Sequence, residues 1–168
     1  MSAPTPLVKY AGATAIAIAA LGAYLWWPSE ERAIVGRLDA LATTLSAPAG
    51  DGPLGLVARV AELRGYFAPE VRVRVGSQEV VSRDALLAMV GRWTPPPGGA
   101  VVEFVDTEVT LAADRGSAQV SLTATVSSRD ARTGEAVVDA REARVALAKQ
   151  DGEWVLTSVE SAETLERP

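Results

Sequence analysis

Charged side chains recur at strand spacing along the second half of this chain. Asp106 and Glu108 lie two residues apart, as do Asp139 with Arg141 and Glu142 with Arg144. On a strand, residues two apart share a face. Two carboxylates so placed can share a proton when buried, and an arginine can hold a neighbouring carboxylate ionised. The same spacing also makes a solvated face or cross-strand ion pairs. Arg72 and Arg74 are spaced to clamp an anion or to face water. Ser117, Gln119, Ser121, Thr123, Thr125 and Ser127 form a polar row suited to a pocket lining, to solvent or to another subunit. The 168 residues include no histidine and no cysteine. Ser-His-Asp and Cys-His catalysis are therefore excluded, with the commonest zinc ligand and any disulfide. No metal-ligand spacing and no phosphate loop occurs. These residues name no catalytic group, no metal and no cofactor.

The elements that must position these residues follow from periodicity. Ser29 to Leu45 reads as a helix: Ile34, Leu38, Leu41 and Leu45 recur at helical spacing, and Glu30 and Glu31 suit its positive N-terminus. SAPAGDGP, 46–53, is a loop. Leu54 to Tyr66 reads as a second helix with Leu56, Val57, Val60, Leu63 and Phe67 near one face, ended by Pro69. Val71 to Gly76 alternates as a strand, and Gln78 to Val81 is its hairpin partner. Ser82 caps a third helix whose apolar side is Leu86, Met89, Val90 and Trp93. After TPPPGG the pattern is strand throughout: Val101–Ala113, Ser117–Ser128, Val137–Lys149 and Glu153–Glu163, with Asp151-Gly152 as a hairpin turn. Helices followed by an antiparallel sheet make an α+β fold, the helices covering one face.

Ahead of these elements stands the longest apolar run. Leu7 to Trp27 is 21 residues with Lys9 as its one charge. At 1.5 Å per residue, about 20 residues cross a bilayer core. Trp26 and Trp27 suit the membrane–water interface, and Pro28 ends the helix. Residues 1–28 therefore read as an uncleaved transmembrane signal anchor, with a leader cut near Ala20-Leu21-Gly22 and a buried soluble helix as the alternatives, and 29–168 read as one domain. Lys9 precedes the run and Glu30-Glu31 follow it, which places the N-terminus in the cytoplasm and the domain outside. Fourteen arginines against two lysines, with abundant Ala, Gly and Val, point to a GC-rich bacterial genome. Outside is then the periplasm, and the anchor is a single pass of the inner membrane. Setting Lys9 aside leaves 15 basic and 21 acidic residues, net −6. That charge disfavours nucleic acid and anionic lipid head groups as partners.

Two segments, LRGYFAPEVRVRVGSQEVVSRDALLAMVGRW (Leu63–Trp93) and KQDGEWVLTSVE (Lys149–Glu160), resemble the nuclear transport factor 2-like superfamily, especially its SnoaL-like branch. The resemblance spans about residues 30–165 and is specific to fold rather than activity. It implies a cone: about three helices packed on a curved antiparallel sheet, often with a pocket inside. The superfamily includes isomerases, dehydratases and epoxide hydrolases, and also membrane-anchored periplasmic scaffolds of secretion machines. Its enzymes place Asp, His, Tyr or Arg within the cone, and the missing histidine departs from the dehydratase type. Tyr66 and Phe67 stand where the family often has a pocket-lining aromatic. Trp93, Phe104 and Trp154 are large enough for either core or pocket wall.

Two functional readings follow. In the first, a non-catalytic periplasmic domain on a membrane anchor meets a protein partner, or a second copy through its sheet face, as a subunit or accessory of an envelope complex. In the second, the cone binds or converts a small apolar molecule in an isomerase- or hydrolase-like way.

Overall fold

The computed structural model describes residues 29–50, 52–130 and 132–161. The apolar run Leu7–Trp27, with Trp26 and Trp27, lies outside the described residues. Among the described residues no helix is long and apolar enough to cross a membrane.

Helix α1, Ser29–Leu45, carries Glu30 and Glu31 in its first turn. There their charge meets the unpaired amides and positive end of the helix dipole. Ile34, Leu38 and Leu41 are fully buried, so its helical apolar spacing becomes the floor of the core. Helix α2, Pro53–Leu63, has proline in its first turn, where the missing N–H costs nothing. It is shorter than the sequence reading, because Arg64–Tyr66 tightens into a 3-10 turn before the sheet begins. Its inward face is also rotated: Arg59 and Leu63 are buried, whereas Val57 is 66% exposed.

Strand β1, Phe67–Val75, starts four residues earlier than the alternation predicts. Pro69 sits within a register shift between Phe67 and Arg72, where its lack of an N–H is tolerated. Strand β2, Gln78–Val81, pairs antiparallel with β1. Helix α3, Arg83–Val90, is capped by Ser82, whose Oγ accepts from Ala85 N at 3.3 Å. Leu86 and Leu87 are its buried residues, while Met89 is 50% exposed. Of the expected apolar side Leu86, Met89, Val90 and Trp93, it is Met89 that turns outward, while Leu87 goes inside and Val90 stays packed against the core.

Strands β3 (Ala100–Leu111), β4 (Ser117–Arg129), β5 (Ala136–Gln150) and β6 (Glu153–Ser161) form a meander. The sheet order is β2-β1-β6-β5-β4-β3. It corrects the antiparallel expectation: β1 lies parallel to β6, with Arg72 opposite Ser158 and Val75 opposite Ser161. The sheet is mixed, since β1 joins the meander at its last strand and that partnership leaves no trace in local pattern. Asp151 and Gly152 turn the last hairpin with φ of 51° and 87°, the two positive values a type I′ turn needs. All three helices pack on one face. Ala118, Val120 and Leu122 on β4, and Ala143, Val145 and Leu147 on β5, join Ile34, Leu38, Leu63 and Trp154 in one core.

Candidate functional site

The inward side of the sheet is longer than the helix layer that covers it. Along β4 the alternation Ala118, Val120, Leu122, Ala124, Val126 runs from fully buried to 39% exposed. A cavity of about 390 Å³ opens where the cover stops. Leu38, Leu41 and Leu45 of α1 form one wall, Leu86 and Val90 of α3 another, and Val102, Phe104, Leu122, Ala124, Val126, Val145 and Val159 the sheet side. Trp93 and Val126 belong to this wall yet are 41% and 39% exposed, which marks them as the mouth.

Almost none of the wall is polar. Arg59 of α2 is the one charged residue in it, with only 9% of its surface exposed. No carboxylate and no tyrosine lines the cavity among the described residues. A general acid or base must stand within hydrogen-bond reach of the group it serves. What this wall can do is bury apolar surface.

Of the aromatic residues singled out from sequence, Phe67, Trp93 and Phe104 are brought together in this wall. Tyr66 and Trp154 are not, and both have other partners. Tyr66 is buried under the Arg37 guanidinium, 4.3 Å above its ring, with the Thr44 hydroxyl 3.5 Å from its own. Trp154 is buried at the far end of the cone, where Nε1 donates to Glu30 Oε2 at 3.0 Å. Lys149 Nζ binds the other Glu30 oxygen at 2.7 Å and lies 5.7 Å from the Trp154 ring. These bonds, Lys149 first and Trp154 second, hold the Glu30 carboxyl below its ordinary value of 4.5. Arg37 completes the cluster by donating to Gly65 O at 2.6 Å and Trp154 O at 3.2 Å. It is a structural clamp between α1 and the β5–β6 hairpin.

The paired charges resolve differently. Asp106 does not share a regular face with Glu108, because the strand bulges between Val105 and Glu108 and Asp106 takes φ 52°. Asp139 and Arg141 form an ion pair at 3.1 Å on an exposed stretch. Arg74, Asp106, Ser121, Thr123, Glu142, Arg144 and Glu160 line a polar hollow of about 640 Å³ on the outer face of the sheet. There Arg74 reaches Glu79 at 3.3 Å and Glu160 at 3.8 Å. Arg144 lies opposite Ser121 on one side and Glu160 on the other. The row of hydroxyls therefore belongs to the outer surface, not to the cavity.

The cavity residues that sequence reasoning missed are mainly Arg59, Ala124 and Val126. A charge inside the apolar spacing of α2 was the available signal for Arg59. For Ala124 and Val126 it was an alternation that outruns the helices.

This geometry has relatives among solved structures. A nuclear transport factor 2-like protein with a cystatin-like fold from Novosphingobium aromaticivorans is 16% identical, with TM-score 0.65, over 88% of this chain and 90% of that one. A candidate scytalone dehydratase from the same organism is 18% identical, with TM-score 0.61, over 79% and 82%. The hub homology domain of a calmodulin-dependent kinase II from Chlamydomonas reinhardtii is 16% identical, with TM-score 0.62, over 79% and 97%. At such identities the likeness is one of fold. No curated protein matches the sequence. The SnoaL-like domain pattern matches residues 57–160, from α2 to the end of the sheet. With its three helices on a curved mixed sheet, the chain belongs to the SnoaL-like family of the nuclear transport factor 2-like fold.

Proposed function

We propose that this protein is a non-catalytic binding domain, carried on a single-pass inner-membrane anchor with its domain in the periplasm, and that its cavity holds a small, uncharged, apolar molecule. One observation carries the binding role: an apolar cavity of about 390 Å³ whose described wall has no carboxylate and no tyrosine, with Arg59 as its one charge. The cavity is open to water at its mouth, and covering its apolar wall with an apolar occupant is worth about 25 cal/mol per Å² of surface withdrawn from water. The run Leu7–Trp27 supports the anchor, and the flanking Lys9 and Glu30-Glu31 support the orientation. Organic extraction of the purified full chain, followed by mass spectrometry, tests the binding role. A stoichiometric uncharged molecule is expected from the parent and not from Ala124→Trp, whose side chain fills the wall. Identical extracts from both refute the proposal.

A second reading, a subunit or accessory protein meeting a partner or a second copy through the sheet, is favoured by the outer face. There Glu79, Arg74, Glu160 and Arg144 alternate in sign across four neighbouring strands. Such a row is complementary to a copy of itself in reversed order. Sedimentation of the parent and of Arg144→Glu decides this: an assembly that survives the charge reversal unchanged does not use this row.

A further inference from the structure

The two ends of the cone differ in chemistry and are joined by one rigid rod. At one end α1 begins. Glu30 is held by Lys149 at 2.7 Å and Trp154 at 3.0 Å, so the start of the helix is fastened to the β5–β6 hairpin. Lys149 N also donates to Gly116 O at 2.8 Å, which sets the β3–β4 turn beside the β5–β6 turn. This pole presents Asp114, Arg115, Gln150 and Asp151, polar and of mixed sign. At the other end α1 stops. Ser46 Oγ accepts from Val102 N at 2.9 Å, and Ala47 pairs with Ala100. Leu45 and Val102 belong to the cavity wall. Val126 pairs with Val102, the exposed Val137 pairs with Ser128 two residues further along β4, and Trp93 shares the cavity wall with Val102 and Val126. Seventeen residues of helix separate the poles, about 25 Å.

An apolar rim around an apolar cavity is the surface one would first dip into a bilayer. The chain connection instead keeps the opposite pole, where α1 starts, closest to the end of the apolar run. Only Pro28 stands between Trp27 and the first residue of α1, a reach of about 7 Å for two extended steps. We infer that the domain stands on lipid head groups through the pole of the β3–β4 and β5–β6 turns, with the cavity mouth about 25 Å away and open to the aqueous compartment. Mixed charge on that pole suits a zwitterionic head-group layer, and the clamp at Glu30 ties the start of α1 to the turns of that pole. The cavity then exchanges its occupant with the aqueous phase and not with the bilayer beneath it. This inference rests on the reading of residues 7–27 as a membrane anchor.

The absence of cysteine makes a direct test available. The β4–β5 turn, which follows the Arg129–Ala136 pair, lies at the second pole, so single variants Gln150→Cys and Arg132→Cys of the full chain, one at each pole, are labelled with nitrobenzoxadiazole. They are reconstituted into phosphatidylcholine vesicles containing a head-group nitroxide lipid. The label at 150 is expected to be quenched several-fold more strongly than the label at 132. A second pair, Asp114→Cys and Thr133→Cys, reads the same poles, so misfolding of one variant leaves the comparison standing. Equal or reversed quenching in vesicle-bound protein overturns the orientation while leaving the anchor intact. Failure of the chain to float with vesicles overturns the anchor reading, and the orientation with it.

Discussion

Filling the cavity should stabilise this protein, whereas adding atoms to a packed core does the reverse. Ala124 lies in the cavity wall on the inner side of β4, opposite Phe104 on β3. Ala124→Leu adds three carbon atoms there. Burying them is worth about 2.4 kcal/mol at about 0.8 kcal/mol per methylene. Ordering the leucine side chain costs about 0.5–1 kcal/mol, which leaves a gain of roughly 1.5 kcal/mol. A domain of this size gains about 3–5 °C in Tm per kcal/mol, so the full chain should melt about 4–8 °C higher. Overpacking a dense site would instead cost about 1–3 kcal/mol. The sign of the change therefore decides whether space exists. Thermal unfolding of ligand-stripped parent and variant, followed by circular dichroism, is the assay. A fall in Tm would refute the cavity and the binding role built on it. A matched control, Ala118→Leu, on the same strand but buried away from the cavity, should lower Tm.

Three further outcomes are expected. The Glu30 carboxyl is held below 4.5 by Lys149 and Trp154, so its clamp contributes stability above that value and loses it as pH falls through the lowered folded value. The gap in stability between parent and Glu30→Gln, about 1 kcal/mol at neutral pH, should therefore shrink below pH 4.5, as a pH series of melting curves would show. Gly99 has φ +80°, and a Cβ there would stand 2.7 Å from Ala47 O. Gly99→Ala should cost at least about 2 kcal/mol by strain and clash together, read from urea unfolding, and no measurable cost would mean the Ala47–Ala100 bridge is not formed. Trp93→Ala at the mouth should weaken retention of the apolar occupant about tenfold or more with little loss of stability, since the indole is partly exposed; equal retention would remove Trp93 from the site.

Much of the architecture was legible because local pattern and local physics coincide. α1 was readable from Ile34, Leu38 and Leu41, and β4 from its unbroken alternation, since burial on one face selects a period. Ser82 as a cap and Asp151-Gly152 as a turn were readable from backbone chemistry alone. The misplacements came where a partner distant in sequence sets the outcome. Val57 and Met89 look apolar-inward by spacing, yet α2 packs on α1 and the 3-10 turn and α3 packs on β1, and these contacts leave both side chains to solvent. The parallel pairing of β1 with β6 depends on bringing Phe67 to Leu156, which no window along the chain contains.

The candidate site divides in the same way. Sequence by itself determined what chemistry is unavailable, because no histidine or cysteine exists to be positioned, and it determined the family, because turn and hairpin signatures are local. Tertiary structure decided where the space is. Phe67, Trp93 and Phe104 line it while Tyr66 and Trp154 do not, since an aromatic residue faces a void or a neighbour according to what packs around it. Arg37 and Thr44 claim Tyr66, and Glu30 claims Trp154. A cavity is a mismatch between the length of the sheet and the length of its helical cover, and only the assembled fold shows both.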